Sequence, residues 1–358
     1  MSVTRVAAAI PRLSQVVPLT RQLCRLSVSA QPFTITASRA ISAPVFARSA
    51  FTSTSPLSRK ASNMFIAEER GTPYGPDYRV FFKDAEGPIS PLHDIPLWAD
   101  QASRVANMVV EVPRWTNAKM EISLSEPLNP IKQDVKKGAL RFVSNVFPHH
   151  GYIWNYGALP QTWEDPRHID ADTGARGDND PIDVIEIGER VAARGDVIKV
   201  KILGTLALID EGETDWKLIA IDIRDPMAEQ LSDVADVERL FPGLLRATVE
   251  WFRLYKVPDG KPVNQFAFDG EAKDAAFAHR IVDEVHEFWK TLVSGDVAND
   301  INKMNVTVEG SAGRVERSEA QRTLDNAPPL GLPQFYHASH YYSLSHKDIT
   351  DDLHSYNL

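Results

Sequence analysis

The chain has 358 residues, 43% hydrophobic and 24% charged, enough apolar material for one large domain or two modest ones. No stretch reaches the roughly 20 consecutive apolar residues that a helix needs to span a bilayer, so no membrane span is expected. The single cysteine, Cys24, lies near the N-terminus, which leaves the body without a disulfide, a zinc–thiolate site or a cysteine nucleophile. Charge is distributed unevenly. Residues 1 to 67 hold Arg5, Arg12, Arg21, Arg25, Arg39, Arg48, Arg59 and Lys60 but no acid. Setting those eight cations aside leaves 31 against 48 acids, a formal net charge of −17 for the remainder. An acid-free, Arg- and Ser-rich leader with short apolar patches such as Val6 to Ile10 has the composition of an organellar transit peptide, since a secretory signal carries one longer apolar core. Residues 1–64 are therefore expected to be a disordered mitochondrial transit segment directing the protein to the matrix. The competing reading is a basic tail for nucleic acid or an acidic surface, with a cytoplasmic protein behind it. A body this acidic repels a phosphodiester backbone, so no nucleic-acid partner is expected.

After the leader, residues 68 to 107 are turn-rich, with a strand expected over Tyr78 to Lys83. Met108 to Val112 reads as a strand ended by Pro113. Ala118 to Ile122 alternates strictly, which puts Lys119 and Glu121 on one face. Leu140 to Val143 is expected to be a short strand around Arg141, and Gly151 to Gly157 an aromatic strand or hairpin arm in which Tyr152 and Tyr156 share a face. Val184 to Ile187, Val197 to Ile209 and Trp216 to Ile223 supply further strands. Helices come later: a helical region opening at Asp225-Pro226, an amphipathic segment over Leu244 to Lys256, and a long helix from Ala272 to Ser294 with Gly295 as its stop. Beyond Gly295 the chain turns polar and irregular and reads as a peripheral tail, a C-terminal extension over 295–358.

Gly177-Asp178-Asn179-Asp180-Pro181-Ile182-Asp183 concentrates three carboxylates in six residues just before an apolar run. Carboxylates that crowded repel unless something cationic lies between them. Aspartate oxygens select hard divalent ions over the metals that prefer thiol or imidazole. Two plainer readings stand beside this one. Asp, Asn and Pro are the ordinary vocabulary of a turn, and an EF-hand loop also begins Asp-x-Asp, but it needs Gly at its sixth position and Glu at its twelfth, and those places here hold Asp183 and Glu189 with Pro181 in between. A second acidic cluster, Asp210-Glu211-Gly212-Glu213-Thr214-Asp215, followed by Trp216 and Lys217, favours the metal reading, because a small barrel or sheet can bring two such turns together.

Taken with Glu111-Val112-Pro113-Arg114-Trp115 and Pro148-His149-His150-Gly151-Tyr152, these stretches resemble the soluble family I inorganic pyrophosphatases, most closely the eukaryotic and mitochondrial type. The resemblance runs from about Phe65 to Leu292. It implies an α+β fold: a small closed, five-stranded, OB-like β-barrel with flanking strands and two or three packed helices, occupying 65–294. It also implies hydrolysis of magnesium pyrophosphate, as a homodimer, with three or four Mg²⁺ ions per site. In that reading Asp178, Asp183 and Asp215 hold the tightest metal, Asp183 bridges to a second, and Asp210 with Asp215 and Glu121 engages the ions that arrive with substrate. Asp180 is the general base. Lys119, Arg141, Tyr156, Tyr255 and Lys256 hold phosphoryl oxygens, and Glu111, Tyr152 and Lys217 orient their neighbours. Pyrophosphate is protected by its own charge, so such a site must neutralise, position and make hydroxide. The alternatives are an Mg²⁺-dependent hydrolase of another phosphoanhydride, against which the absence of a Walker or Gly-rich dinucleotide motif speaks, and a non-catalytic binding subunit.

Overall fold

Five strands close on one another. They are β1 (Val105–Val112), β2 (Asn155–Ala158), β3 (Asp183–Glu186), β4 (Val197–Asp210) and β5 (Glu213–Asp222). β1 pairs antiparallel with β2 and β4, β2 antiparallel with β3, β3 parallel with β5, and β5 antiparallel with β4, which completes the circuit. Closure leaves these strands no open edge. The expected small five-stranded barrel is therefore the centre of this computed structural model, which describes residues 64–333 and the backbone of 341–342. Apart from Met64, the proposed leader lies outside the described residues.

β4 makes the closure possible because it is long enough to serve two partners. Its run of buried Ile202, Leu203, Leu206, Ala207 and Leu208 faces the cores on either side. A register shift between Ile202 and Gly204 bends the strand there. Gly204 permits the bend, since a Cβ at that position would lie 2.4 Å from the Lys273 carbonyl oxygen. At the far end Glu211 (φ 52°) and Gly212 (φ 93°) make a two-residue hairpin into β5, so the second acidic cluster sits on one rim.

A second sheet, of Ile66–Arg70, Arg79–Lys83, Ile131–Gln133 and Met120–Ile122, flanks the barrel. Of the strand expected around Arg141, only Ala139–Leu140 forms, as an arm of a hairpin with Val135–Lys136. Gly151 to Ile153 is loop, and pairing begins at Asn155.

The helices are α1 (Val234–Leu240), α2 (Leu244–Leu254), α3 (Ala275–Ser294) and α4 (Arg317–Asp325). α3 is capped by the Asp274 carboxylate, which accepts from the Phe277 N–H at 2.8 Å, and ends at Gly295 (φ 88°). Its apolar stripe, Ala278, Ile281, Val282, Val285, Trp289, Leu292 and Val293, is buried, with α3 lying against β4. At about 1.5–3 kcal/mol for a fully buried large side chain, that stripe is the main anchor of the helix. No helix starts at Asp225. Its carboxylate accepts from the Met227 and Glu189 N–H groups, holding a turn, and the first helix waits for the Asp233 cap.

The described part of the 295–358 segment packs far more deeply than a peripheral tail. Val297, Ile301, Val306, Ala320 and Leu324 belong to the main buried cluster. Buried Asp94 accepts from the Val306 and Thr307 N–H groups at 2.9 and 2.7 Å and from the Thr307 hydroxyl at 2.6 Å.

Candidate active site

The barrel brings the two acidic clusters to one rim because β3 and β5 run parallel in register, with Asp183 opposite Lys217. Asp215 lies two residues earlier on the same face of β5. Lys217, 3% exposed at its side chain, donates to Asp183, to Asp215 at 2.5 Å and to the Tyr156 hydroxyl at 3.1 Å. Tyr156 in turn donates its hydroxyl to Asp183. Asp210, where β4 ends, accepts from Lys256 at 2.5 and 2.6 Å and from the Tyr255 hydroxyl at 3.4 Å. α2 delivers both residues just past its last turn.

The flanking sheet forms the other wall. Lys119 donates to Glu121 at 2.8 Å, which bears out the shared face read from the alternation. Asp134 joins Lys119, at 3.8 Å, to Arg141, at 3.0 Å. Glu111 on β1 is buried and accepts from the Ile122 N–H at 2.7 Å, tying the strand that carries Glu121 to the barrel. Tyr152 and Tyr156 stand with ring centroids 5.0 Å apart, and Tyr152 also packs on Trp251, on which Tyr255 stacks.

Crowding leaves a clear electrostatic signature. Burial, then the charges of Asp215 and Asp180, raises the Asp178 carboxyl well above the usual range. Asp215 is lifted to about 7 by burial and Asp183, against the pull of Lys217. Asp180 also reaches about 7: its side chain meets solvent at the lip, yet surrounding protein atoms desolvate it, and Glu121, Asp183 and Asp215 outweigh Lys119. Burial and the Asp183 charge raise Glu111 in the same way. Burial pulls the amines of Lys119 and Lys217 down, but the carboxylates beside them hold both well above the ordinary lysine value. Tyr152 is pushed up to about 12, chiefly by burial, and Tyr156 and Tyr255 rise as well for the same reason and because of Asp183 and Asp210 respectively.

One residue at this rim escapes the sequence reading. Glu164, Asp178 and Asp215 each place an oxygen within 4.8 Å of the others, and this is the tightest such carboxylate group among the described residues. Glu164 is buried. Its Oε1 accepts from the Trp216 N–H at 3.0 Å, while Oε2 has no hydrogen-bond partner. Three buried or half-buried hard oxygen donors, each pushed toward protonation by the others and one with an idle lone pair, suit a divalent cation. Asp183, expected with Asp178 and Asp215 around one ion, is joined to Asp215 through Lys217, and Glu164 supplies the third oxygen of the close group. In the sequence, Glu164-Asp165-Pro166 reads only as an acidic turn.

A family profile described as Inorganic pyrophosphatase matches residues 108–290. The inorganic pyrophosphatase of Drosophila melanogaster is 63% identical over 276 residues, covering 76% of this chain and 82% of the fly protein. The human protein of the same name is 58% identical over 267 residues, covering 74% and 92%. Among solved structures, the inorganic pyrophosphatase of Schistosoma japonicum superposes with a TM-score of 0.74 at 49% identity, covering 78% of this chain and all of that one. The type I enzyme of Toxoplasma gondii gives 0.60 at 47%, covering 64% and 99%.

Proposed function

This chain belongs to the inorganic pyrophosphatase family, hydrolases of the phosphoanhydride bond of pyrophosphate, and we propose how its own residues divide that reaction. The observation that carries the assignment is the convergence of Glu164, Asp178 and Asp215 beside Asp183, Asp210 and Glu121, ringed by amines and phenols. Asp178, Asp215, Asp183 and Glu164 would hold the tightest metal or orient it, and Asp210 and Glu121, at opposite edges, would meet ions that come with substrate. Magnesium is the proposed ion, three or four per site. The spread of carboxylates over two walls supports more than one. Bound there, such ions supply positive charge against pyrophosphate and acidify water toward neutrality.

The rest falls to side chains. Asp180 accepts the proton of the attacking water, and its position at the solvent-facing lip, between two acidic ligand positions, supports that role. Lys119 and Arg141 on one wall, and Tyr255 and Lys256 on the other, grip phosphoryl oxygens. Each amine moves from the carboxylate it now pairs with to a phosphoryl oxygen. Arg141 offers a planar fork and the lysines point charges. Glu111 keeps Lys119 and Glu121 in place through Ile122, Tyr152 supports the phenol wall through its contact with Tyr156, and Tyr156 and Lys217 orient Asp183. The test is phosphate release from pyrophosphate by the full chain, with and without Mg²⁺, against Asp180→Asn. Turnover should fall by roughly 10² to 10⁴, the scale of general-base loss. Full turnover by the variant at saturating Mg²⁺ removes the base assignment.

Assembly and location are also part of this reading. A homodimer is supported by exposed Trp115 and Phe147, 56% and 69% accessible, on loops joined by the Trp115 N–H to Tyr152 carbonyl bond at 2.6 Å. Analytical ultracentrifugation of Trp115→Ser should show a monomer. Delivery to the mitochondrial matrix is supported by the eight cations and no acids of residues 1 to 67, and loss of organellar import from a fusion lacking residues 1–64 is its test.

A further inference from the structure

Asn179 lies between Asp178 and Asp180 with φ 74°, in the left-handed region that only Gly adopts freely and Asn tolerates. Its backbone does part of the work of holding the turn. The Asn179 N–H donates to the Glu164 carbonyl, and the Glu164 N–H donates to the Asp180 carbonyl, both at 2.9 Å. Its side chain does the rest. Asn179 Oδ1 accepts from the Trp163 indole N–H at 3.1 Å and from Asn299 Nδ2 at 2.9 Å. Trp163 is almost fully buried, and its backbone N–H donates to the Val285 carbonyl of α3 at 3.0 Å. Asn299 comes from the segment after α3, 120 residues away from its partner.

Both amide orientations are determined by the chemistry of their partners. An indole N–H can only donate, so the Asn179 atom facing it is the oxygen. Asn299 Oδ1 is engaged by the Ile301 N–H at 2.7 Å, which turns its NH₂ group toward Asn179. A side chain beyond the last long helix thus holds the residue between two carboxylates of the active site, and holds it where its backbone is least at ease.

We propose that Asn299 is a positioning residue for this reaction: by donating to Asn179 it fixes the loop that presents Asp178 and Asp180. The segment after Gly295 thereby becomes part of the catalytic apparatus, although it contributes no group that touches substrate. The proposal rests on the roles given above to Asp178 and Asp180, and its test separates the two.

Asn299→Ala and Asn299→Asp are compared with the full wild-type chain in three assays. These are steady-state kinetics on magnesium pyrophosphate, equilibrium dialysis of Mn²⁺ without substrate, and thermal unfolding. Asn299→Asp keeps the acceptor that serves Ile301 and so preserves the local turn, but sets an oxygen against an oxygen. Loss of one neutral hydrogen bond predicts about a fivefold fall in kcat for the Ala variant, and at least as much for the Asp variant. The Mn²⁺ half-saturation of the Ala variant rises by a similar factor. The KM for pyrophosphate stays within about twofold, because Lys119 and Arg141 on the far wall are untouched. Unchanged kcat and Mn²⁺ binding in both variants overturns the proposal, and so does a fall in kcat that merely follows a fall in unfolding temperature. Asp180→Asn, run alongside, discriminates between the readings: full activity in that variant with a kcat and Mn²⁺ defect in Asn299→Ala upholds the positioning of the metal loop and removes only the base.

Discussion

His93 makes the stability of this protein depend on pH in a way that a single substitution can isolate. The imidazole is fully buried, between Trp289 and the segment after α3. Its Nδ1 accepts from the Trp289 indole N–H and its Nε2–H donates to the Asn302 carbonyl, each at 3.0 Å. The indole has no lone pair to offer, so only the neutral Nε2–H tautomer fits. Protonation would set two donors against each other in a dry site. Burial, aided by Lys303 and opposed by the Asn302 carbonyl and Asp94, lowers the ring to about 4 from 6.5. A folded-state value below the unfolded one means that the contribution is complete above about pH 6.5 and is lost as pH falls toward 4. Linkage over that gap costs about 2 kcal/mol by pH 5 and about 3 kcal/mol by pH 4. Chemical unfolding of wild type and His93→Gln, measured from pH 8 to pH 4, tests this. The variant loses the acceptor for Trp289 and should be about 1–2 kcal/mol less stable at pH 8. It lacks the acid penalty, so the difference should close and then reverse by pH 4. Parallel curves across the whole range would refute the argument, because every other titrating group is common to both proteins.

Three further outcomes follow from the same coordinates. Glu164→Gln removes a charged oxygen from the closest carboxylate group and should raise half-saturating Mg²⁺ by about 10- to 100-fold, read from activity against metal concentration. Gly157→Ala would set a Cβ 1.9 Å from the Val109 carbonyl oxygen where β2 bulges against β1, and is expected to cost about 3 kcal/mol or more, seen as a fall of about 6–12 °C in Tm. Chelation of divalent metal should abolish phosphate release and lower Tm, since a ligand at 100 times its Kd stabilises by about 2.7 kcal/mol. An unchanged Tm after chelation would mean that the carboxylate cluster binds metal too weakly to matter.

What could be read from the sequence, and what could not, divides along a physical line. Strand alternation has a period of two, so Lys119 and Glu121 declare a shared face without any tertiary information, and they meet at 2.8 Å. Asp178, Asp180 and Asp183 are neighbours in the chain and need only one turn to be brought together. β4 and β5 are long apolar runs bounded by turn residues, and their boundaries fall within a few residues of those expected, whereas the four-residue β2 begins only at Asn155. Glu164 is different. It reaches Asp178 and Asp215 only because a separate loop pairs with the turn at Asn179 and Asp180 and meets β5 at Trp216, and nothing local distinguishes it from the many acids that cap turns. The segment after Gly295 fails for a related reason: it is polar, and its order comes from Asp94 and His93, some 200 residues earlier, rather than from periodicity of its own. Asp225 misleads because an Asp-Pro pair opens a helix or seals a turn equally well, and here its carboxylate is taken by Glu189 and Met227.

The charge arrangement at the rim answers a difficulty that composition alone raises. Carboxylates packed this closely should force the strands apart, since their mutual repulsion in a partly dry site is strong. Each wall meets that repulsion with its own amine: Lys217 between Asp183 and Asp215, Lys256 against Asp210, Lys119 against Glu121. Lys119 and Lys256 are the amines assigned to phosphoryl oxygens, whereas Lys217, the most deeply buried of the three, stays with Asp183 and Asp215 and orients them. The acids therefore do not wait for substrate or metal to be held in place. Divalent ions held by Asp210 and Glu121 would leave Lys256 and Lys119 free to meet phosphoryl oxygens, so each of these amines serves the acid before binding and would serve the anion after it. A lysine replaced by methionine at 217 would leave Asp183 and Asp215 opposed with nothing between them.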